Sequence, residues 1–130
     1  MSDFSSISQD FKNFVLSNPD TSMGLGNNSH LDQLADPSLE QLKNDTAQAK
    51  TLLVVIENCS TDDFNQQLDI DLMARYLKQQ IFFAELEQDG QPQRCRKPGG
   101  VDGISEGIFQ LFVNDERSPE ARLDNILSRL

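Results

Sequence analysis

Apolar residues recur along this chain at intervals of three and four, the spacing that gathers side chains on one face of an α-helix. Phe4, Ile7, Phe11, Phe14 and Val15 predict a short opening helix that ends between Ser17 and Pro19. The stretch NPDTSMGLGNNSHLDQLAD then lacks periodicity, and its glycines and asparagines suit left-handed backbone. It predicts a long loop pinned by Leu25, Leu31 and Leu34. Asp36-Pro37-Ser38 reads as a helix start, with Asp36 accepting from exposed N–H groups and Pro37 at the first helical position, where no donor is needed. From there Leu39, Leu42, Thr46, Ala49, Leu53 and Ile56 give a narrow seam, of the kind two antiparallel helices share, running to about Asn58.

Ser60 or Thr61 is the predicted cap of the next helix, with Asp62 and Asp63 set against its positive end. Phe64, Leu68, Leu72, Tyr76, Phe83 and Leu86 trace one stripe, and Ile70, Met73, Leu77 and Ile81 widen it. That width predicts a central helix covered on more than one side, stopping after Gln88 at Asp89-Gly90. Pro92, Pro98 and three glycines forbid a regular element from Gln91 to Gly103. A shorter helix follows, with Ile104, Ile108, Leu111 and Phe112 on one side. Ser118-Pro119-Glu120 opens a last one, striped by Leu123, Ile126, Leu127 and Leu130. The pattern therefore predicts the all-α class: a single domain over residues 1–130, with about five helices and the segments 38–58 and 61–88 as a central antiparallel pair.

The last helix has a start signal and no stop signal, and its stripe reaches Leu130. This predicts the front of a longer protein, with Leu123, Ile126, Leu127 and Leu130 as the interaction face that meets its remaining part. The alternative is a domain that ends in a docked helix. Serine at positions 127 and 130 separates the two: it improves solubility if the stripe awaits a partner, and damages folding if the stripe is core.

Composition narrows the function. The 130 residues are 37% hydrophobic, enough for one core. A net charge of −10 repels phosphate backbones, so no nucleic-acid partner is expected. Cys59 and Cys95 lack the close spacing of a zinc or redox motif and read as reduced thiols; pairing would need their α-carbons within about 7 Å. The opening MSDFSSISQDF has neither the basic start nor the apolar stretch of a secretory signal. No segment approaches the ~20 apolar residues that span a bilayer. A cytoplasmic protein without a membrane partner is the expectation.

Candidate chemistry is thin. Glu85, Glu87 and Asp89 cluster, but Glu85 and Glu87 stand about 200° apart round a helix and cannot converge on one ion. His30 is the only histidine, whereas a catalytic zinc site takes about three protein ligands. Arg94, Arg96 and Lys97 before Pro98-Gly99-Gly100 make a basic loop able to receive an anion, without the strand and GK[ST] ending of a phosphate loop. Neither cysteine has an activating base assigned by the sequence. No catalytic residue, cofactor or metal ligand is expected.

Certain residues nevertheless occur in a recognisable order. Leu25-Gly26 precedes Asp32-x-Leu34-x-Asp36-x-Ser38, a leucine-rich helix, and a long helix from Asp69 to Glu87. Then come Pro98, the segment GISEGIFQLFVND with Gly107, Ile108, Phe109, Leu111, Phe112 and Asp115, and ERSPEARLDNILSRL. From about Phe14 to Leu130 the chain resembles the N-terminal region of the domain-of-unknown-function 885 family. The resemblance implies large, mostly helical bacterial proteins whose distant C-terminal half carries an HExxPGH motif suggestive of a zinc metallopeptidase. That motif is not in this chain, and neither is the Glu-Leu-Pro-like continuation usual in the family, so no catalytic residue carries over. The implied role is a non-catalytic N-terminal helical lobe that packs against, or covers, a catalytic half. The competing reading is a complete small acidic adaptor or chaperone-like module, binding another protein through an apolar groove or closing its C-terminal helix in an oligomer.

Overall fold

The computed structural model describes residues 3–88 and 99–130. The protein is all-α. Its described elements are helices α1 (Phe4–Leu16) and α2 (Pro19–Gly24), a 3₁₀ turn (Asn28–His30), and helices α3 (Leu39–Glu57), α4 (Phe64–Gln88), α5 (Gly99–Asn114) and α6 (Pro119–Ser128). They form two compact units. One joins Met1–Phe14 to Ser38–Arg94, and the other joins Val15–Pro37 to Cys95–Leu130. Among the described residues, no helix is long and apolar enough to cross a membrane.

In the first unit α3 and α4 are antiparallel. Gln88 donates to the Thr46 hydroxyl at 3.0 Å, Lys50 meets Glu85 at 2.6 Å, and Lys78 meets Glu57 at 2.7 Å, so one helix ascends as the other descends. Those two ion pairs are half exposed and contribute little. The stabilising part is the core of Ile7, Ala49, Ile56, Ile70, Met73 and Leu77, where each fully buried large side chain is worth about 1.5–3 kcal/mol. Phe11 of α1 packs edge-on to Tyr76, ring centroids 5.5 Å apart.

Two helix starts differ from expectation. Ser38, not Asp36, caps α3, its hydroxyl accepting from the Gln41 amide at 3.1 Å. Pro37 thus precedes the cap instead of opening the helix. Before α4, Asp63 accepts from the Gln66 amide at 2.9 Å, while Thr61 shapes the preceding turn by accepting from the Asp63 amide at 3.2 Å. In each case the residue immediately before the first helical position does the capping, because only from there does a short side chain reach the third amide.

The register of α4 also corrects the sequence reading. Phe64 is 79% exposed, and Leu68, Leu72 and Phe83 also face outward, whereas Ile70, Met73 and Leu77 form the core. The two stripes lie on nearly opposite sides of the helix. Periodicity alone could not choose between them; the packing of Ile7, Ala49 and Ile56 does.

In the second unit, the segment expected as a loop contains α2. Asn18 accepts from the Asp20 and Thr21 amides, both at 3.0 Å, and Pro19 takes the first helical position. Gly26, with φ of 78°, closes this helix while Asn27 donates to Ser22 O and Gly26 to Met23 O, both at 2.9 Å. α5 starts at Gly99, earlier than expected, since a glycine weakens a helix by about 1 kcal/mol without forbidding it. Asp89-Gly90, Pro92, the basic group Arg94, Arg96 and Lys97, and Cys95 lie outside the described residues. The core holds Met23, Leu31 and Leu111, with Ile126 against it. Gly107, Leu111 and Asp115, one per helical turn, make the buried line of α5 and its exit; Phe112, expected inward, is 70% exposed.

Candidate functional site

α6 is set up by its own sequence. Ser118 accepts from the Ala121 amide at 3.3 Å and Pro119 occupies the first helical position. Glu120 sits in the first turn, where hydrogen bonds from its own backbone amide and from the Ser118 hydroxyl hold its carboxyl below the usual range.

The face that α6 turns toward its unit is largely polar. Arg122 donates to the Phe112 carbonyl in the last turn of α5 at 3.2 Å. Arg117, just before the helix, grips Asp115 through two parallel bonds, Nε to Oδ1 at 2.9 Å and Nη2 to Oδ2 at 2.6 Å. The side-chain amide of Asn125 lies 3.0 Å from Nη1 of the same guanidinium. At the end of the helix the Arg129 guanidinium is fully enclosed. Its Nε donates to Leu31 O at 2.8 Å and its Nη1 to Gly107 O at 3.0 Å; Nη2 lies 3.4 Å from His30 O. Gly107 makes the close approach practicable, since a Cβ there would lie 2.9 Å from Nη1. Loss of water pushes the Arg129 pKa down and the charges of Asp20 and Asp32 pull it back, but a guanidinium stays protonated throughout. Asp20 Oδ1, 3.9 Å from Nη1, is too far for a hydrogen bond.

Asp115 carries a pH consequence. Its side-chain bond from Arg117, only partly opposed by burial, lowers its pKa below the ordinary carboxylate value. A depressed folded pKa contributes stability that is present above the unfolded value and lost as pH falls through the folded one. The second unit should therefore lose stability below the usual aspartate range. Acid titration followed by circular dichroism should show this loss in the native protein and a smaller one in Asp115→Asn; identical acid profiles would show that Asp115 has no part in it.

The adjoining side of α6, turned away from the unit, is apolar and open. Leu123 and Leu127 on α6, with Leu130 just beyond its end, spaced four and three apart, are 55%, 60% and 79% exposed. Of the residues expected to share this face, Ile126 instead packs against the Met23–Leu31–Leu111 core. Neighbouring α5 exposes Phe109 together with Phe112 and Val113, three and four residues further on.

The other sequence candidates do not assemble a site. Glu85 is held by Lys50, Glu87 stands exposed, and Asp89 lies outside the described residues. His30 ends the 3₁₀ turn and faces Arg129 through its carbonyl, not its ring. Cys59 is half-buried against the first unit's core. Among the described residues, no three histidines, cysteines or carboxylates gather where they could hold a metal. An open cleft of about 380 Å³ lies in the first unit beside Glu57, Cys59, Asp71, Arg75 and Lys78, and one of about 210 Å³ lies in the second beside Met23, Leu31 and Asp115; neither lining includes a histidine.

No family model, curated protein or solved structure matches this chain. In the segment from Gly107 to Asp115, Gly107, Leu111 and Asp115 are buried in the second unit, while Phe109 and Phe112 face outward.

The docking geometry of Arg117, Arg122 and Arg129 was missed by sequence reasoning. The available signal was their periodicity: Arg122 and Arg129 are seven apart, on the same side as Asn125 and Ile126.

Proposed function

We propose that this chain is a non-catalytic helical docking module, which holds another protein surface against the outward apolar faces of its second unit. The observation that carries the reading is the orientation of α6, with arginines toward its own unit and leucines away from it. A buried leucine is worth about 1.5–3 kcal/mol, so Leu123 and Leu127 on α6 and Leu130 just after it, left outward, forgo a substantial contribution unless something covers them. The resemblance supports a narrower form, in which the chain is the N-terminal lobe of a metallopeptidase-like protein and the covering surface is its catalytic half. In the adaptor form that surface belongs to a separate protein. The setting proposed for both is the cytoplasm, with Cys59 and Cys95 as thiols.

Leu127→Ser with Leu130→Ser should raise solubility and change folding stability by no more than about 0.5 kcal/mol, as for surface positions generally. Urea titration of the double variant checks this, and a loss of several kcal/mol would place the leucines in a core. The purified chain should also show no peptidase activity. One tightly held zinc per chain by elemental analysis would overturn the non-catalytic reading.

A further inference from the structure

The surroundings of the leucine stripe point to the chemistry of what covers it. Among the described residues of the second unit, the arginines are Arg117, Arg122 and Arg129, and each turns its guanidinium onto its own unit: onto Asp115, the Phe112 carbonyl, and the Leu31 and Gly107 carbonyls. The described carboxylates near the outward face do the reverse. Glu120 and Asp124 are exposed on the shoulder of the Leu123–Leu127–Leu130 stripe, Glu116 is exposed just before α6, and Glu106 is exposed two turns before Val113 on the same side of α5. The result is an apolar strip with an acidic margin.

We infer that this face docks a basic amphipathic helix of a partner protein, with an apolar side that covers Leu123, Leu127 and Leu130 and lysines or arginines that meet Glu120, Asp124 and Glu116. This rests on the docking function proposed above and names its partner. Leucines spaced four and three apart match the ridge that a second helix packs along, and opposite charge at the margin selects the partner while the apolar centre supplies affinity. A second copy of the chain would bring the same carboxylates against one another, and an anionic lipid surface would meet a protein of net charge −10. Both are disfavoured by the charge that favours a basic helix.

The test uses the full chain and two labelled helical peptides with identical leucine faces, one margined by lysine and one by glutamate, followed by fluorescence anisotropy. The lysine peptide should bind at least about tenfold more tightly, a difference of roughly 1.4 kcal/mol, and the preference should shrink as salt rises. Leu123→Ser with Leu127→Ser should weaken lysine-peptide binding by more than about tenfold with unchanged circular dichroism. Glu120→Lys with Asp124→Lys should shift the preference toward the glutamate peptide. Equal binding of both peptides, abolished by the serine pair, would overturn the basic partner while leaving the docking face intact. Binding unaffected by the serine pair, or absent for the lysine peptide, would overturn the inference. So would tighter binding to vesicles rich in phosphatidylserine, which would make the occupant a membrane, or a dimer that the serine pair dissolves, which would make it a second copy.

Discussion

Arg129→Met is expected to destabilise the second unit by about 2–4 kcal/mol, although methionine fills much of the same space. The decisive loss is of donors. Leu31 O, which now accepts at 2.8 Å, would be left inside the unit without a donor, at a cost of about 1–3 kcal/mol, while Gly107 O, inside α5, would keep its helical partner and lose its second, charge-assisted bond at 3.0 Å. One effect opposes this: removing a buried charge relieves its desolvation, and Asp20 at 3.9 Å compensates that charge only weakly. Two lost hydrogen bonds to a charged donor should outweigh that relief, because nothing in methionine can replace them. Amide hydrogen exchange is the suitable measurement, since two compact units need not unfold together. Amides of α5 and α6 should lose protection while those of α3 and α4 serve as an internal reference. Unchanged protection in α5 and α6 would show that Arg129 is only a passenger.

The second large effect belongs to the first unit. Leu77→Ala should cost about 2–5 kcal/mol, because Leu77 is fully buried among Ile7, Ile56, Ile70 and Met73 and its removal leaves a cavity. Leu72→Ala, five residues earlier on the same helix and 54% exposed, should cost about 0.5 kcal/mol or less. Urea titration can compare the two conveniently: the chain has one tyrosine and no tryptophan, and Tyr76 packs on Phe11 within this unit, so its fluorescence reports that unit alone. A larger loss for Leu72 than for Leu77 would mean that α4 presents its other face to α3.

These two positions also show how far the sequence could be read. The existence and order of α1, α3, α4 and α6 follow from apolar periodicity and cap residues, and so does the α3–α4 hairpin. The face of α4 does not follow, since Phe64, Leu68 and Leu72 are as apolar and as regular as Ile70, Met73 and Leu77; only the shape of the partner decides. α2 is legible only in its opening residues. Asn18-Pro19-Asp20 repeats the cap, proline and acid order of Ser118-Pro119-Glu120, but six residues are too few for periodicity to register.

The candidate face is legible for a similar reason and hidden for a different one. Leu123, Leu127 and Leu130 announce a stripe, which hydrophobicity alone would turn inward. An arginine has a long apolar stem and five donors, so it can dock a helix against backbone carbonyls where a leucine would leave them without partners. In a unit whose buried apolar residues, among those described, are Met23, Leu31 and Leu111, a loop carbonyl such as Leu31 O needs a donor more than the core needs additional leucines. Periodicity records which residues share a face; it does not record which face the neighbouring carbonyls require.

The claim on which the docking function depends is that α6 faces its own unit with arginines and solvent with leucines. Hydroxyl-radical footprinting read by mass spectrometry, on the dilute purified chain, tests it residue by residue. Leu127 and Leu130 should be oxidised at close to the rate of the same residues in the unfolded chain, while Leu31 and Leu111 are protected. Protection of Leu127 and Leu130 to the level of Leu111 would mean that the leucines are core, and would contradict the docking function.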